Sequence, residues 1–304
     1  MSNPVSTPAQ VIDGTRMAQA IRGRMAKAVA EMKDKHNVVP GLAVILVGED
    51  PGSATYVRNK GLACQEVGIY SETFQLPRET TQDELLDLVG RLNADQRFHG
   101  ILVQLPLPPQ IQERPILWAI DPAKDVEGLH PINMGRLVIG EPRFVPCAPA
   151  GIQQMLLRSG HDPEGKHVVI CGNSTIMGKP LAILLMQSRE GAHATVTVCH
   201  IRTRNLSDFT RQADILISAM GKPQAITADM VKEGSAVIDV GIIRVKDPSR
   251  KRGYRLVGDV DFEGVRHKVA AITPVPGGVG PMTVAMLLVN TLKAAHLTIH
   301  PRHN

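Results

Sequence analysis

The chain has 304 residues, 43% of them hydrophobic and 21% charged, with a net charge of +5, the make-up of a globular protein with room for two domains. No uninterrupted apolar run reaches the roughly 18 residues of a membrane span, and the first ten residues lack the basic start and apolar core of a secretion signal, so a soluble cytoplasmic protein is expected. Only 3% of residues are aromatic, which leaves few stacking platforms for nucleic acid, whereas a mild positive field suits small anionic ligands.

In chain order, Asp13-Gly14-Thr15 opens a helix whose apolar positions Met17, Ile21, Met25, Val29 and Met32 recur with a period near 3.6 and which ends near His36. An apolar strand over 42–47 then delivers a helix start at Pro51-Gly52, with Ser53 as its expected cap. On that helix Ser53, Tyr56 and Lys60 stand three and four residues apart and share one face. A strand follows over 72–76. Thr81-Gln82-Asp83-Glu84 has the capping-box pattern before another helix, and a strand from Gly100 is ended by Pro106 and Pro108. Gln104 sits at the carboxyl end of that strand, where parallel α/β sheets bind ligands; a hydrogen bond to a loop is the alternative for it. In the loop 122–131, Asp125 and Glu127 either serve a ligand or simply cap or pair with Lys124.

The α/β rhythm restarts after a boundary near Pro149. A strand over 166–171 runs into Gly172-Asn173-Ser174-Thr175-Ile176-Met177-Gly178, a small-residue turn before a helix, of the kind that lets backbone N–H groups approach a phosphate. After the next strand, over 194–199, an NAD site usually carries an acidic residue for the ribose hydroxyls. This chain has His200, Arg202 and Arg204, which suit a 2′-phosphate and lean to NADP. Further strands are expected over 214–219, 235–241 and 258–262, with a basic solvated loop over 246–255. The stiff loop Thr273-Pro274-Val275-Pro276-Gly277-Gly278-Val279-Gly280-Pro281 leads into an apolar helix over 282–295 that should be buried. Cys64, Cys147, Cys171 and Cys199, far apart and without C-x-x-C spacing, read as reduced thiols. No metal site is expected, since nothing completes a ligand set around His193 and His200.

Taken together, the 53–60 segment, Gln104-Leu105-Pro106-Leu107-Pro108, Lys124-Asp125-Val126-Glu127-Gly128, the 172–180 turn, Gly258-Asp259-Val260-Asp261 and the 273–283 loop closely resemble the bifunctional methylenetetrahydrofolate dehydrogenase/methenyltetrahydrofolate cyclohydrolase (FolD) family. The resemblance implies two α/β domains. A folate-binding catalytic domain would hold residues 1–148 plus 282–304, and a Rossmann-like NAD(P)-binding domain residues 149–281, with the C-terminal helix returning to the first. It implies oxidation of 5,10-methylene-tetrahydrofolate to the 5,10-methenyl form with NADP, NAD being possible, then hydrolysis to 10-formyl-tetrahydrofolate in the same cleft. Lys60, Tyr56, Gln104 and Asp125 would be catalytic. Ser53, Tyr56, Asp125, Pro276, Gly277 and Gly278 would bind substrate, and Gly172, Asn173, Ser174, Ile176, Gly178, His200, Arg202, Arg204, Gly241 and Ile242 the cofactor. A cytoplasmic homodimer acting on one-carbon derivatives of tetrahydrofolate for purine synthesis, with neither nucleic acid nor membrane as partner, completes the expectation. The chain departs from the usual pattern at Ala148, Asn173, Ile201 and Ile243. An NAD-linked dehydrogenase without hydrolysis, and a silent folate or nucleotide binder, are the competing readings.

Overall fold

The structure, a computed structural model, describes residues 9–250 and 253–300. The chain divides into two compact units, one joining the N-terminal residues up to Met17 with Ala148–Thr283, the other joining Ala18–Cys147 with the residues from Val284 onward.

In chain order the elements of the first half are β1 (Gln10–Val11), α1 (Gly14–His36), β2 (Gly41–Val47), α2 (Pro51–Val67), β3 (Tyr70–Leu76), α3 (Gln82–Ala94), β4 (Gly100–Val103), α4 (Glu113–Ala119) and α5 (Pro131–Val138). The second half adds α6 (Cys147–Arg158), β5 (His167–Cys171), α7 (Gly178–Leu185), β6 (Thr195–Cys199), α8 (Leu206–Thr210), β7 (Ile215–Ser218), β8 (Ala236–Asp239), β9 (Ile243–Lys246), β10 (Tyr254–Val257), α9 (Phe262–Val265), β11 (Ala271–Ile272) and α10 (Val279–Ile299).

The unit containing β2 has a parallel sheet in the order β3-β2-β4. Its central strand is an unbroken apolar run with every residue buried, as a strand covered on both faces requires. On one face Ile45, Val47, Ile101 and Val103 pack with Leu85, Val89 and Phe98, each such burial contributing about 1.5–3 kcal/mol. Strand β4 ends at Val103, but the Gln104 amide still donates to Ile45 O at 2.9 Å. Pairing stops there because Pro106 has no N–H to give, and so Gln104 stands at the sheet's carboxyl edge. The expected capping box of α3 is present, Thr81 and Glu84 each bonding the other's backbone N–H. The cap of α2 differs from expectation. Asp50 caps it, its carboxylate accepting from Ser53 N at 2.7 Å, and Pro51 takes the first turn, where no N–H is needed.

The other unit holds a six-stranded parallel sheet in the order β1-β11-β8-β7-β5-β6. Strand β5 has β6 on one side and β7 on the other, so the chain order reverses there and opens a crevice at the carboxyl ends. Two details correct the sequence reading. Gln10 and Val11 pair with Ala271 and Ile272 at the edge of this sheet, so the N-terminal segment belongs with the expected dinucleotide domain and not with residues 18–147. The basic 246–255 stretch is no simple loop, since Lys246 and Tyr254 pair at the turn end of the β9–β10 hairpin; residues 251–252 lie outside the described residues.

Helix α10 is long and apolar enough in average composition to match a membrane span, although Asn290, Thr291 and Lys293 interrupt its apolar run. Met282, Ala285, Leu288, Thr291 and Ala295 on it are buried, and Asn290 Nδ2 donates to Val126 O and Val145 O at 2.8 and 3.0 Å. Those contacts make its later turns a core helix of the unit that contains β2.

Candidate active site

Helix α2 rises from the carboxyl end of β2 and sets Ser53, Tyr56 and Lys60 on successive turns. Ser53 and Lys60 are buried, 5% and 6% exposed, and Tyr56 is half-buried. Burial pushes the Tyr56 phenol above its ordinary value. Lys60 Nζ donates to Gln104 Oε1 at 3.0 Å. Gln104 is held for that task, because its Nε2 donates to Leu105 O at 2.7 Å and leaves the carbonyl end toward the amine. An amine almost sealed from water thus has a neutral acceptor, which orients it without the cost of a second buried charge.

The loop after α4 supplies two carboxyl groups. Asp125 is buried and its Oδ2 accepts from His130 N and from Asn133 Nδ2, both at 2.8 Å. Asn133, fully buried on α5, also donates to Pro122 O at 2.9 Å. Neither acid pairs with Lys124, whose Nζ donates to Leu92 O and Asp95 O at 3.0 and 2.8 Å. Glu127 is held above the usual carboxylate range by desolvation, with Lys60 pulling it down and Asp125 pushing it up. Burial also raises the Cys147 thiol, against the charge of Lys60, and lifts Cys64 to about 11, opposed by a hydrogen bond from Ser71 and by Lys60. One lysine therefore sits in a local field with two carboxyl groups and two inert thiols, a setting able to hold and release a proton close to a bound molecule.

The second unit carries the expected dinucleotide turn. From β5 the chain enters Gly172 at φ 140°, against Ala219, and a Cβ on Gly178 would stand 1.9 Å from Gly172 O. Turn and helix start touch backbone to backbone, the close approach that a phosphate cradle needs. Asn173, Ser174 and Ile176 are exposed on this turn, and no side chain caps α7. After β6, His200 N donates to Thr203 Oγ1 at 2.9 Å and Arg202 N donates to His200 Nδ1 at 3.1 Å. This folded turn leaves Arg202, Arg204 and Ile201 exposed. Gly241 is buried and Ile242 exposed just past β8. Pro276 is exposed, Gly277 takes φ 109°, and the carbonyl of Gly277 accepts from Thr15 N at 3.0 Å. Among the described residues no group of three His, Cys, Asp or Glu is placed to hold a metal.

Residues 12–127 match the family model described as tetrahydrofolate dehydrogenase/cyclohydrolase, catalytic domain, and residues 146–299 match the NAD(P)-binding domain of the same family. The chain belongs to the tetrahydrofolate dehydrogenase/cyclohydrolase family. It is 56% identical over 288 residues to the bifunctional protein FolD of Dehalococcoides mccartyi, covering 94% of this chain and 97% of that protein. Among solved structures it resembles the bifunctional FolD of Campylobacter jejuni, with 48% identity, a TM-score of 0.90 and coverage of 95% and 99% of the two chains. It also resembles the Trypanosoma brucei enzyme complexed with NADP and an inhibitor, with 43% identity, a TM-score of 0.92 and coverage of 97% and 99%.

Within this family member, Lys60 and Gln104, 44 positions apart, are in contact, and Asp125 lies in the same electrostatic neighbourhood. Several participants were not singled out by the sequence reading. Glu127 carries from the sequence only the open choice it shares with Asp125, Asn133 is not named there, and Asn290 lies within the expected apolar helix. The signal for Asn290 was a polar amide between Val289 and Thr291 where the helix was expected to be buried, since a buried amide must find partners.

Proposed function

We infer that this protein oxidises 5,10-methylene-tetrahydrofolate to 5,10-methenyl-tetrahydrofolate with NADP and hydrolyses the product to 10-formyl-tetrahydrofolate. The observation that carries the reading is the buried Lys60 held by Gln104 in a chain whose two halves match both family domains. In the hydrolytic step water adds to the electrophilic methenyl carbon, a C–N bond opens and a proton is released. Lys60 manages that proton, and Gln104 fixes where Nζ points. Tyr56, one turn earlier, presents a neutral phenol to the flat part of the folate, and Asp125, its Oδ2 anchored by His130 N and Asn133, receives N–H groups of the pterin. Ser53 completes the substrate contacts that α2 offers.

NADP fits the second unit because the Gly172–Gly178 turn packs backbone against backbone, as a phosphate cradle requires, and His200, Arg202 and Arg204 follow β6. Gly172, Asn173, Ser174, Ile176 and Gly178 would hold the phosphates, His200, Arg202 and Arg204 the 2′-phosphate end, and Gly241 and Ile242 the nicotinamide end. When bound, NADP supplies the hydride acceptor; the protein's part is orientation and exclusion of water. We further assign it to the cytoplasm, as a homodimer feeding one-carbon units to purine synthesis, on the strength of family resemblance.

The test follows methenyl formation with NADP and with NAD, and separately the hydrolysis of added 5,10-methenyl-tetrahydrofolate, for the parent and for Lys60→Met. Turnover by the parent in both assays and hydrolysis at background in the variant are expected. A parent that reduces NADP but never accelerates hydrolysis overturns the bifunctional reading.

A further inference from the structure

Two buried carboxylates at the carboxyl edge of the six-stranded sheet have no part in the chemistry above. Asp239 ends β8 and is 3% exposed; Asp259, in the Gly258-Asp259-Val260-Asp261 stretch, is fully buried. Asp239 Oδ1 accepts from Gly241 N and from Asp259 N, and its Oδ2 from Val260 N, all at 2.9 Å. Asp259 Oδ2 accepts from Ser218 Oγ at 3.0 Å and from Met220 N at 2.6 Å, and its Oδ1 from Lys222 N at 2.9 Å. Each carboxylate is therefore surrounded by donors, an arrangement that offsets the cost of holding charge away from water.

Space around the pair is made by glycine. A Cβ on Gly258 would stand 1.8 Å from Asp239 Oδ2, and one on Gly241 2.7 Å from Asp259 Oδ1. The donors belong to the loops that border the dinucleotide crevice. Gly241 precedes the exposed Ile242 past β8, and Met220 and Lys222 follow β7. Between Ser218 and Met220, Ala219 bonds Cys171 O through its N–H at 2.7 Å and lies against Gly172, the first residue of the phosphate turn. Since β6, on one side of the reversal at β5, carries the residues that suit the adenine ribose, the nicotinamide half falls on the β7–β8 side.

We propose that Asp239 and Asp259 are positioning residues for the dinucleotide, a paired-carboxylate frame that holds the Ala219–Lys222 and Gly241–Ile242 backbones in the shape that receives the nicotinamide half. The inference rests on the NADP-dependent reading above. Neither residue touches substrate; both act through the loops they bind. Asparagine keeps the shape of aspartate but turns an N–H₂ group toward backbone N–H donors, so Asp239→Asn sets donor against donor at Gly241, Asp259 or Val260, and Asp259→Asn does so at Met220 or Lys222.

The experiment uses the full chain and three readouts: NADPH binding by fluorescence titration, KM for NADP and kcat in the dehydrogenase assay, and nucleotide-free hydrolysis of 5,10-methenyl-tetrahydrofolate. Each Asp→Asn variant is expected to raise the NADPH Kd and the NADP KM at least about tenfold, with hydrolysis within about twofold of the parent. Ser218→Ala, which deletes one donor to Asp259 without adding bulk, covers the case in which the Asp variants do not fold, with an expected rise of about threefold in Kd. Unchanged Kd and KM in folded variants, or hydrolysis falling as far as dehydrogenation, overturn the proposal. A parent that binds NADPH yet turns over neither substrate sinks the reaction assigned above, and the binding comparison still decides the positioning role.

Discussion

Replacing Gln104 by Leu tests the Lys60–Gln104 contact directly. Lys60 is 6% exposed and its Nζ donates to Gln104 Oε1 at 3.0 Å. A hydrogen bond to a charged group is worth about 1.5–3 kcal/mol, and the loss is felt in full where water cannot replace the missing partner. Leu105 O also loses the donor it has from Gln104 Nε2 at 2.7 Å. Gln104→Leu is therefore expected to lower stability by about 2–4 kcal/mol in urea titrations. If the whole charged bond is needed in the hydrolytic transition state, its loss of about 1.5–3 kcal/mol slows methenyl hydrolysis roughly 10- to 150-fold. The sharper measurement is the cycle with Lys60→Met. With the ammonium gone there is no orphaned donor, so Gln104→Leu in that background should cost much less stability and slow hydrolysis no further, giving a coupling of about 1.5–3 kcal/mol. Stabilities that add to within about 0.5 kcal/mol, or a further fall in hydrolysis in the double variant, would falsify the role given to Gln104.

Three other perturbations follow from the same geometry. Asn290→Leu strips the donors from Val126 O and Val145 O in a buried place, and unfolding should show a loss of about 2–4 kcal/mol; a loss below about 0.5 kcal/mol would mean that solvent reaches those carbonyls. Gly178→Ala drives a methyl group to 1.9 Å from Gly172 O, so NADPH titration should show at least about a tenfold weaker complex while nucleotide-free hydrolysis continues; unchanged binding would show that the turn is not the phosphate cradle. Asp239 is raised from 3.8 to about 6, chiefly by burial, against the N–H groups of Val260, Asp259 and Gly241 and with Asp259 adding repulsion. Between those two values the folded state binds the extra proton, so this group's contribution to stability is present near pH 4 and is lost as pH rises through 6, by roughly 3 kcal/mol. Asp239→Asn cannot titrate, and its stability deficit relative to the parent should shrink by that amount from pH 4 to pH 7 in urea titrations; a deficit that stays constant or grows contradicts the raised carboxyl.

What could be read in advance divides along the range of the interactions. The strand at 42–47, the capping box at Thr81 and the turn at Gly172 depend on residues within a few positions of one another, and the structure holds them where local pattern put them. The cap of α2 was misplaced by three residues because Asp50 and Ser53 are both good caps, and the Asp50 carboxylate accepting from Ser53 N is what decides between them. Strand β1 escaped notice since two residues carry no periodicity; its place is set by Ala271 and Ile272, some 260 positions later.

The same division runs through the site. Lys60 was legible through its spacing from Tyr56, and Gln104 through its position at a strand end. Asn133 carries no local pattern that separates it from solvated polar residues; Asn290 and Asp239 stand in apolar segments and Asp259 in a family-like stretch, but their partners are set by the tertiary fold alone. A fully buried amide or carboxylate persists only if distant backbone groups meet it. Asn290 meets carbonyls 164 and 145 positions away, and Asp259 meets donors 41, 39 and 37 positions away. Groups of this kind bind loops to one another, which is why their removal should disturb a ligand they never touch.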